Sequence, residues 1–290
     1  MCLALPLVAL AQSTATVTIL EGEAALVRGT TRYALAEGVH LAPRDIVQTG
    51  DKTFAQIEFA DGSRAELGGK TRFLNAVAPL SRGTKAGSTS DHFLLSGLMK
   101  FSAGKSANAG YRYATPQFTV TTSDSVAVVQ LAATEASVFV ESGEVRLVEI
   151  GPKGASAAQR LKGGEFYTRK NGQKSAIAPR PSQAFIGTLP RGFLDTIPSR
   201  LSRFKDREIA PKRAEEITYT DVEAWLKTNR DVRRPLVQRW RSRASDPAFR
   251  SALIVHLKDH PEWDPILFPE KYKPKEDKAP AAAPKAAEMR

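Results

Sequence analysis

The 290-residue chain is poor in the side chains that build metal and redox sites: one cysteine, four histidines and three methionines. A single cysteine excludes an internal disulfide and a multi-cysteine metal cluster, and four histidines leave little for metal chemistry. No apolar run reaches the ~20 residues a bilayer-spanning helix needs. Glycine (20) and proline (18) are too sparse for a collagen-like repeat. No G-x-S-x-G turn presents a serine nucleophile, and no H-E-x-x-H helix presents a zinc pair.

What is present is the composition of a folded protein, 42% hydrophobic and 25% charged, with 42 Lys plus Arg against 31 Asp plus Glu. The resulting net charge of +11 favours polyanionic neighbours. Residues 1–11 read as a signal peptide. The apolar run Leu3–Ala11 closes on Ala9-Leu10-Ala11, an A-x-A cleavage pattern, although a charged n-region does not precede it. Cleavage after Ala11 removes Cys2 and leaves an exported, soluble, cysteine-free chain that depends on its core for stability.

From Ala15 to Ala178 short apolar or β-branched runs alternate with Gly, Pro and Asx turns, which predicts an antiparallel sandwich or roll. Asp61-Gly62 between Gln56–Ala60 and Arg64–Leu67 predicts a hairpin with a type I′ turn. Two stretches resemble each other: Gly22-Glu23-Ala24-Ala25-Leu26-Val27 and Gly143-Glu144-Val145-Arg146-Leu147-Val148. Leu35 with Gly38, and Leu161 with Gly163 and Gly164, follow at similar distances, then Asp45–Val47 and Glu165–Tyr167. Two β lobes of related build are expected, joined through a turn-rich loop over Pro79–Asp91.

Prolines punctuate a transition segment over 179–218, and helical signals follow over 219–272. Thr220, Asp231 and Asp246-Pro247 are the expected starts of three short helices. The Lys/Ala/Pro-rich tail, 273–290, is expected to be disordered.

Candidate chemistry is thin. Gly69-Lys70-Thr71 and Gly104-Lys105-Ser106 superficially match the end of a phosphate loop, but Arg64 and Met99 stand where the opening glycine is required. His256 and His260 have metal-ligand spacing, yet Pro261 makes a helix end the better reading. Glu58, Asp61 and Glu66 are expected on the solvent side of a half-buried sheet. Neither a catalytic residue, a metal nor a cofactor is expected. The arginine-dense segment Arg230–Arg243 offers Arg233, Arg234, Arg239, Arg241 and Arg243 as contacts to a polyanion, or a solvated basic face around Leu236, Val237 and Trp240.

The run "GEAALVRG…LAEGVHLAPRDIVQTGDKTFAQIEFADGSRAEL", from Gly22 to Leu67, resembles the first half of the FecR domain. Thr115-Pro116 and "SGEVRLV…LKGGEFY" resemble its second half, so the likeness spans Ala15–Ala178. The resemblance implies an all-β, non-enzymatic periplasmic module, a signalling or cell-envelope part that binds an envelope protein. Its implied recognition mode is a strand edge or β surface. The rival expectation is an envelope protein that binds peptidoglycan, another anionic glycan or a polyanion. Nucleic acid is not expected as a partner, and no transmembrane segment is expected.

Overall fold

The computed structural model describes residues 15–75, 89–104, 110–151, 154–207 and 209–273. The expected signal peptide, most of the Pro79–Asp91 loop, Lys105-Ser106 and the tail beyond 273 lie outside the described residues.

The first lobe contains β1 (Ala15–Glu21), β2 (Ala24–Arg28), β3 (Thr31–Ala34), β4 (His40–Leu41), β5 (Asp45–Thr49), β6 (Phe54–Phe59), β7 (Arg64–Leu67) and β8 (Arg72–Asn75). A long strand, β9 (Thr89–Ser102), leads to the second lobe. That lobe contains β10 (Gly110–Ala114), β11 (Phe118–Thr122), β12 (Val126–Leu131), β13 (Glu135–Ser142), β14 (Glu144–Gly151), β15 (Gly154–Ala155), β16 (Gln159–Lys162), β17 (Phe166–Lys170) and β18 (Ala176–Ala178). A last strand, β19 (Lys212–Glu216), returns to the first lobe.

Two faces arise from this ribbon. One sheet runs β4-β1-β6-β7-β9-β12-β13-β17-β18. The other runs β19-β3-β2-β5-β8-β9-β10-β11-β14-β16. The β9–β10 pair is parallel, an exception to the antiparallel expectation. Strand β9 belongs to both sheets and bends at Gly97, whose φ is +98°. A Cβ at Gly97 would lie 2.4 Å from the Thr71 Cα, so both the backbone conformation and the close approach demand glycine. Period-2 alternation then sends Val17, Leu26, Phe73, Met99, Phe101, Tyr113, Phe118, Val138 and Leu147 into one shared core between the sheets.

The internal likeness is structural. Gly22 and Gly143, with φ of +89° and +77°, each carry the chain from one sheet to the other. Gly38 donates its N–H to Val17, and Gly164 donates to the corresponding Val140. The paired segments after these glycines are Val39–Leu41 and Glu165–Tyr167, each lying along the strand that ends just before the crossover glycine. Asp45–Val47 instead pairs with β2, which corrects the sequence alignment at that point.

Other expectations shift locally. The turn at Asp61-Gly62 is a three-residue loop with only Gly62 at positive φ (+83°), because Asp61 accepts from the Ser63 N–H and hydroxyl. Thr89–Asp91, expected as loop, opens β9. Among the described residues, four α-helices instead of three follow β19: α3 (Tyr219–Leu226), α4 (Arg230–Trp240), α5 (Pro247–Val255) and α6 (Asp264–Leu267), after α1 (Gln183–Ile186) and α2 (Arg191–Leu194) in the proline-rich segment. Pro261 starts a separate short turn, which is why α6 stands apart from α5. The first cap is Thr218, not Thr220, since only Thr218 completes a reciprocal capping box with Asp221. Asn229 precedes α4, leaving Asp231 in the first turn, and Asp246 caps α5 as expected.

The C-terminal chain seals two outer faces. Residues 182–200 form a strap over the first sheet, where Phe185 and Phe193 pack on Ile19, Phe54, Leu98, Val128 and Phe166. The helices cover the first-lobe part of the second sheet. Val27, Ile46, Leu74 and Phe93 there join Val222, Trp225, Leu236, Trp240 and Phe249 in a second core. At roughly 1.5–3 kcal/mol per large apolar side chain buried, this contact supplies a large part of what holds the helices.

Candidate interaction surface

The five arginines singled out from the sequence are placed in different surroundings. Arg233 is drawn inward, donating to the Asp259 carbonyl (2.7 Å) and to Glu262 (2.8 Å). Arg239 reaches across to the sheet and donates to the carbonyls of Val27 (3.0 Å), Gly29 (3.3 Å) and Arg44. Arg243 lies over the Phe249 ring and beside Asp246. Arg234 and Arg241 are exposed. Three of the five thus brace the module, and two face solvent.

The carboxylates are also placed differently from expectation. Glu58 and Glu66 point out of the first sheet, but the strap buries them to 3% and 5% exposure. Burial pushes Glu58 up, but bonds from Ser199, the Arg200 N–H, Thr18 and Gln56 outweigh it and hold the carboxyl below its ordinary range. Glu66 goes the other way. Burial raises it to about 7 against Lys100 and Arg64, and Glu141 adds to the rise. Arg64 and Lys100 fasten the strap through the carbonyls of Ile197 (2.6 Å) and Phe193 (2.6 Å). Asp61 serves its own turn and accepts from the Tyr111 hydroxyl at 2.9 Å.

His92, His256 and His260 each pack against an aromatic ring. His256 ends α5 and stacks on Tyr219, while buried His260 meets the Tyr219 hydroxyl at 3.1 Å. His92, which the sequence reading passed over, is boxed by Phe59, Phe73 and Tyr113 with centroids 4.8–5.5 Å away. Burial lowers it to about 4, opposed by Asp91 and Asp61. Gly69-Lys70-Thr71 forms the turn between β7 and β8. Lys70 is at φ +55° and Thr71 is tied to both backbone groups of Leu98. Among the described residues no cluster of three or more His, Cys, Asp or Glu could hold a metal, and no helix is long and apolar enough to cross a membrane.

One broad surface is uncovered by any described residue: the second-lobe part of the second sheet. There Phe118, Val120, Val145, Leu147 and Leu161 point into the core, so their strand neighbours Thr119, Thr121, Arg146, Val148, Arg160 and Lys162 point outward. Register places Arg112 opposite Thr121, Thr121 opposite Arg146, and Arg146 opposite Arg160. At ~4.8 Å per strand this is a transverse row about 15 Å long. Arg112 is held by Asp91 through two bonds of 2.7 and 2.6 Å.

Residues 45–146, from β5 through the first half of β14, match the family model described as FecR protein. Over these residues, about a third of its length, the chain is similar to the FecR-domain family. FecR domains are non-catalytic periplasmic β modules, and the match falls within the curled two-lobed sheet. The match covers the β9 spine, and leaves residues 15–44 and 147–178 of the expected resemblance, the strap and the helices outside it. Two crystal structures of a candidate anti-sigma factor from Parabacteroides distasonis ATCC 8503, at 2.50 and 1.65 Å, are similar to the chain at 14% identity with a TM-score of 0.40. The similarity covers 49% of this chain and 62% of theirs, so the chain spans about three fifths of that protein's length. No curated protein matches the chain.

Proposed function

We propose that this FecR-like domain is a binding module of the cell envelope that docks a partner protein on its β surface, in signal sensing or envelope assembly. The observation that carries this reading is the uneven covering of the sandwich. The strap and the helices close the apolar outer faces, while the second-lobe face lies open. On the same reading, the transition segment (179–218) and helical module (219–272) fold with the β region (15–178) as one unit, because their cores contain sheet residues.

The test is photocrosslinking in the periplasm with the reactive residue placed in turn on the open face, the β18 edge and the helices. A reproducible protein adduct at one surface supports the reading, and repeated absence from all three removes it. Exposed Arg234 and Arg241 favour a second reading, attachment to peptidoglycan or another anionic glycan. Purified sacculi should then retain the protein in moderate salt, and release as salt rises would mark non-specific attraction.

A further inference from the structure

We infer that the open face of the second lobe receives an acidic protein segment, whose carboxylates are taken by Arg146 and Arg160. This rests on the binding-module reading and adds the face and the partner's chemistry. Arg146 and Arg160 stand directly opposite each other on β14 and β16, an arrangement of like charges that weakens strand pairing. Arg146 has no ion-pair partner among the described residues. Among the described residues Arg160 has only Glu144, at 3.5 Å, with the Arg160 side chain largely and that of Glu144 nearly half in solvent. Lys162 lies opposite the same Glu144, so three cations meet one carboxylate.

An acidic occupant resolves this imbalance, and the planar guanidinium fork fits a carboxylate with two parallel bonds. Beside the arginines, Thr121, Thr119 and Val148 make a β-branched floor suited to an extended peptide. No aromatic side chain points out of this face among the described residues, so it lacks the platform on which sugar rings stack. That weighs for a polypeptide and against a glycan.

The test uses the full chain and a fluorescent 15-residue Glu/Ser peptide, read by anisotropy at low and moderate salt. R146E–R160E should weaken binding at least about tenfold, whereas R234E–R241E, the same charge change on the helices, should weaken it less than about threefold. Both variants alter exposed side chains, and an unchanged melting curve certifies folding. Equal losses in the two variants, or no binding by the wild-type chain, would overturn the inference. Retention on polyphosphate or sacculi that depends on Arg146 and Arg160 without peptide binding would replace it with a polyanion surface. An adduct from position 121 to a protein with an acidic segment supports it. Adducts only from position 177 would sink it and leave the binding-module reading standing, and adducts from no surface would sink both.

Discussion

The two lobes share a sheet but not a fate. One transverse row of the second sheet runs Val27, Ile46, Leu74, Phe93, Ala114, Thr119 and Val148. Its first four members lie under the helices, and at Thr119 the row turns polar and emerges. The hydrogen-bond ladder is continuous across this change, so backbone pairing does not decide which part of a sheet is covered. The apolar area offered on each side decides it, because burial stabilises only where apolar atoms leave water. The helices settle on the lobe that provides a greasy row and stop where threonine and arginine begin.

That contrast can be broken most severely at Trp240, which is fully buried and donates its indole N–H to the Gly29 carbonyl at 3.0 Å. Trp240→Ala should cost about 3–5 kcal/mol in denaturant unfolding. A loss under ~1 kcal/mol would mean that the helices do not depend on the first-lobe face.

The next test concerns the acid and the imidazole that burial shifts, both on the first lobe or its spine. Glu66 is raised, so its contribution is full below about 4.5 and is lost as pH climbs through about 7. His92 is lowered, so its contribution is full above about 6.5 and is lost as pH falls towards about 4. Each is worth up to about 3 kcal/mol, and in the native chain they oppose each other. Glu66→Gln should leave a protein that weakens between pH 6.5 and 4.5, and His92→Phe one that strengthens over the same interval. Unfolding curves at pH 4.5, 6 and 8 check this, and parallel profiles for the two variants would contradict it.

A smaller effect separates the braces from the free arginines. Arg239→Met strips three carbonyls of a donor and should cost about 1–3 kcal/mol, while exposed Arg234→Met should stay within about 0.5 kcal/mol. Equal costs would show that Arg239 is no brace. The smallest effect belongs to the open lobe. Arg146→Thr should change stability by less than about 0.5 kcal/mol, towards stabilisation, since it removes a like-charge pair. A loss above 1 kcal/mol would mean that the arginine supports the fold.

Much of this was legible in the sequence. Period-2 alternation located most strands, Asp246-Pro247 announced α5, and the Gly22 and Gly143 runs announced two lobes. The hairpin turn was misjudged because Asp61 satisfies the Ser63 N–H with its side chain, which removes the need for positive φ at both central positions. Strand β19 was hidden, since Lys212–Glu216 has no apolar alternation and is a strand only because the β3 edge accepts it. The arginine-dense helix drew attention through its density. Arg146 and Arg160, fourteen residues apart, become neighbours only through the register of β14 and β16.

Composition and local pattern by themselves determined a β-rich, cysteine-free core followed by helices, because side-chain alternation and capping act over a few residues. Which faces were covered, which arginines were drawn inward and which carboxylates were buried was decided by tertiary structure alone. Those outcomes depend on groups far apart in the chain being brought within a few ångströms, and no local signal records that distance.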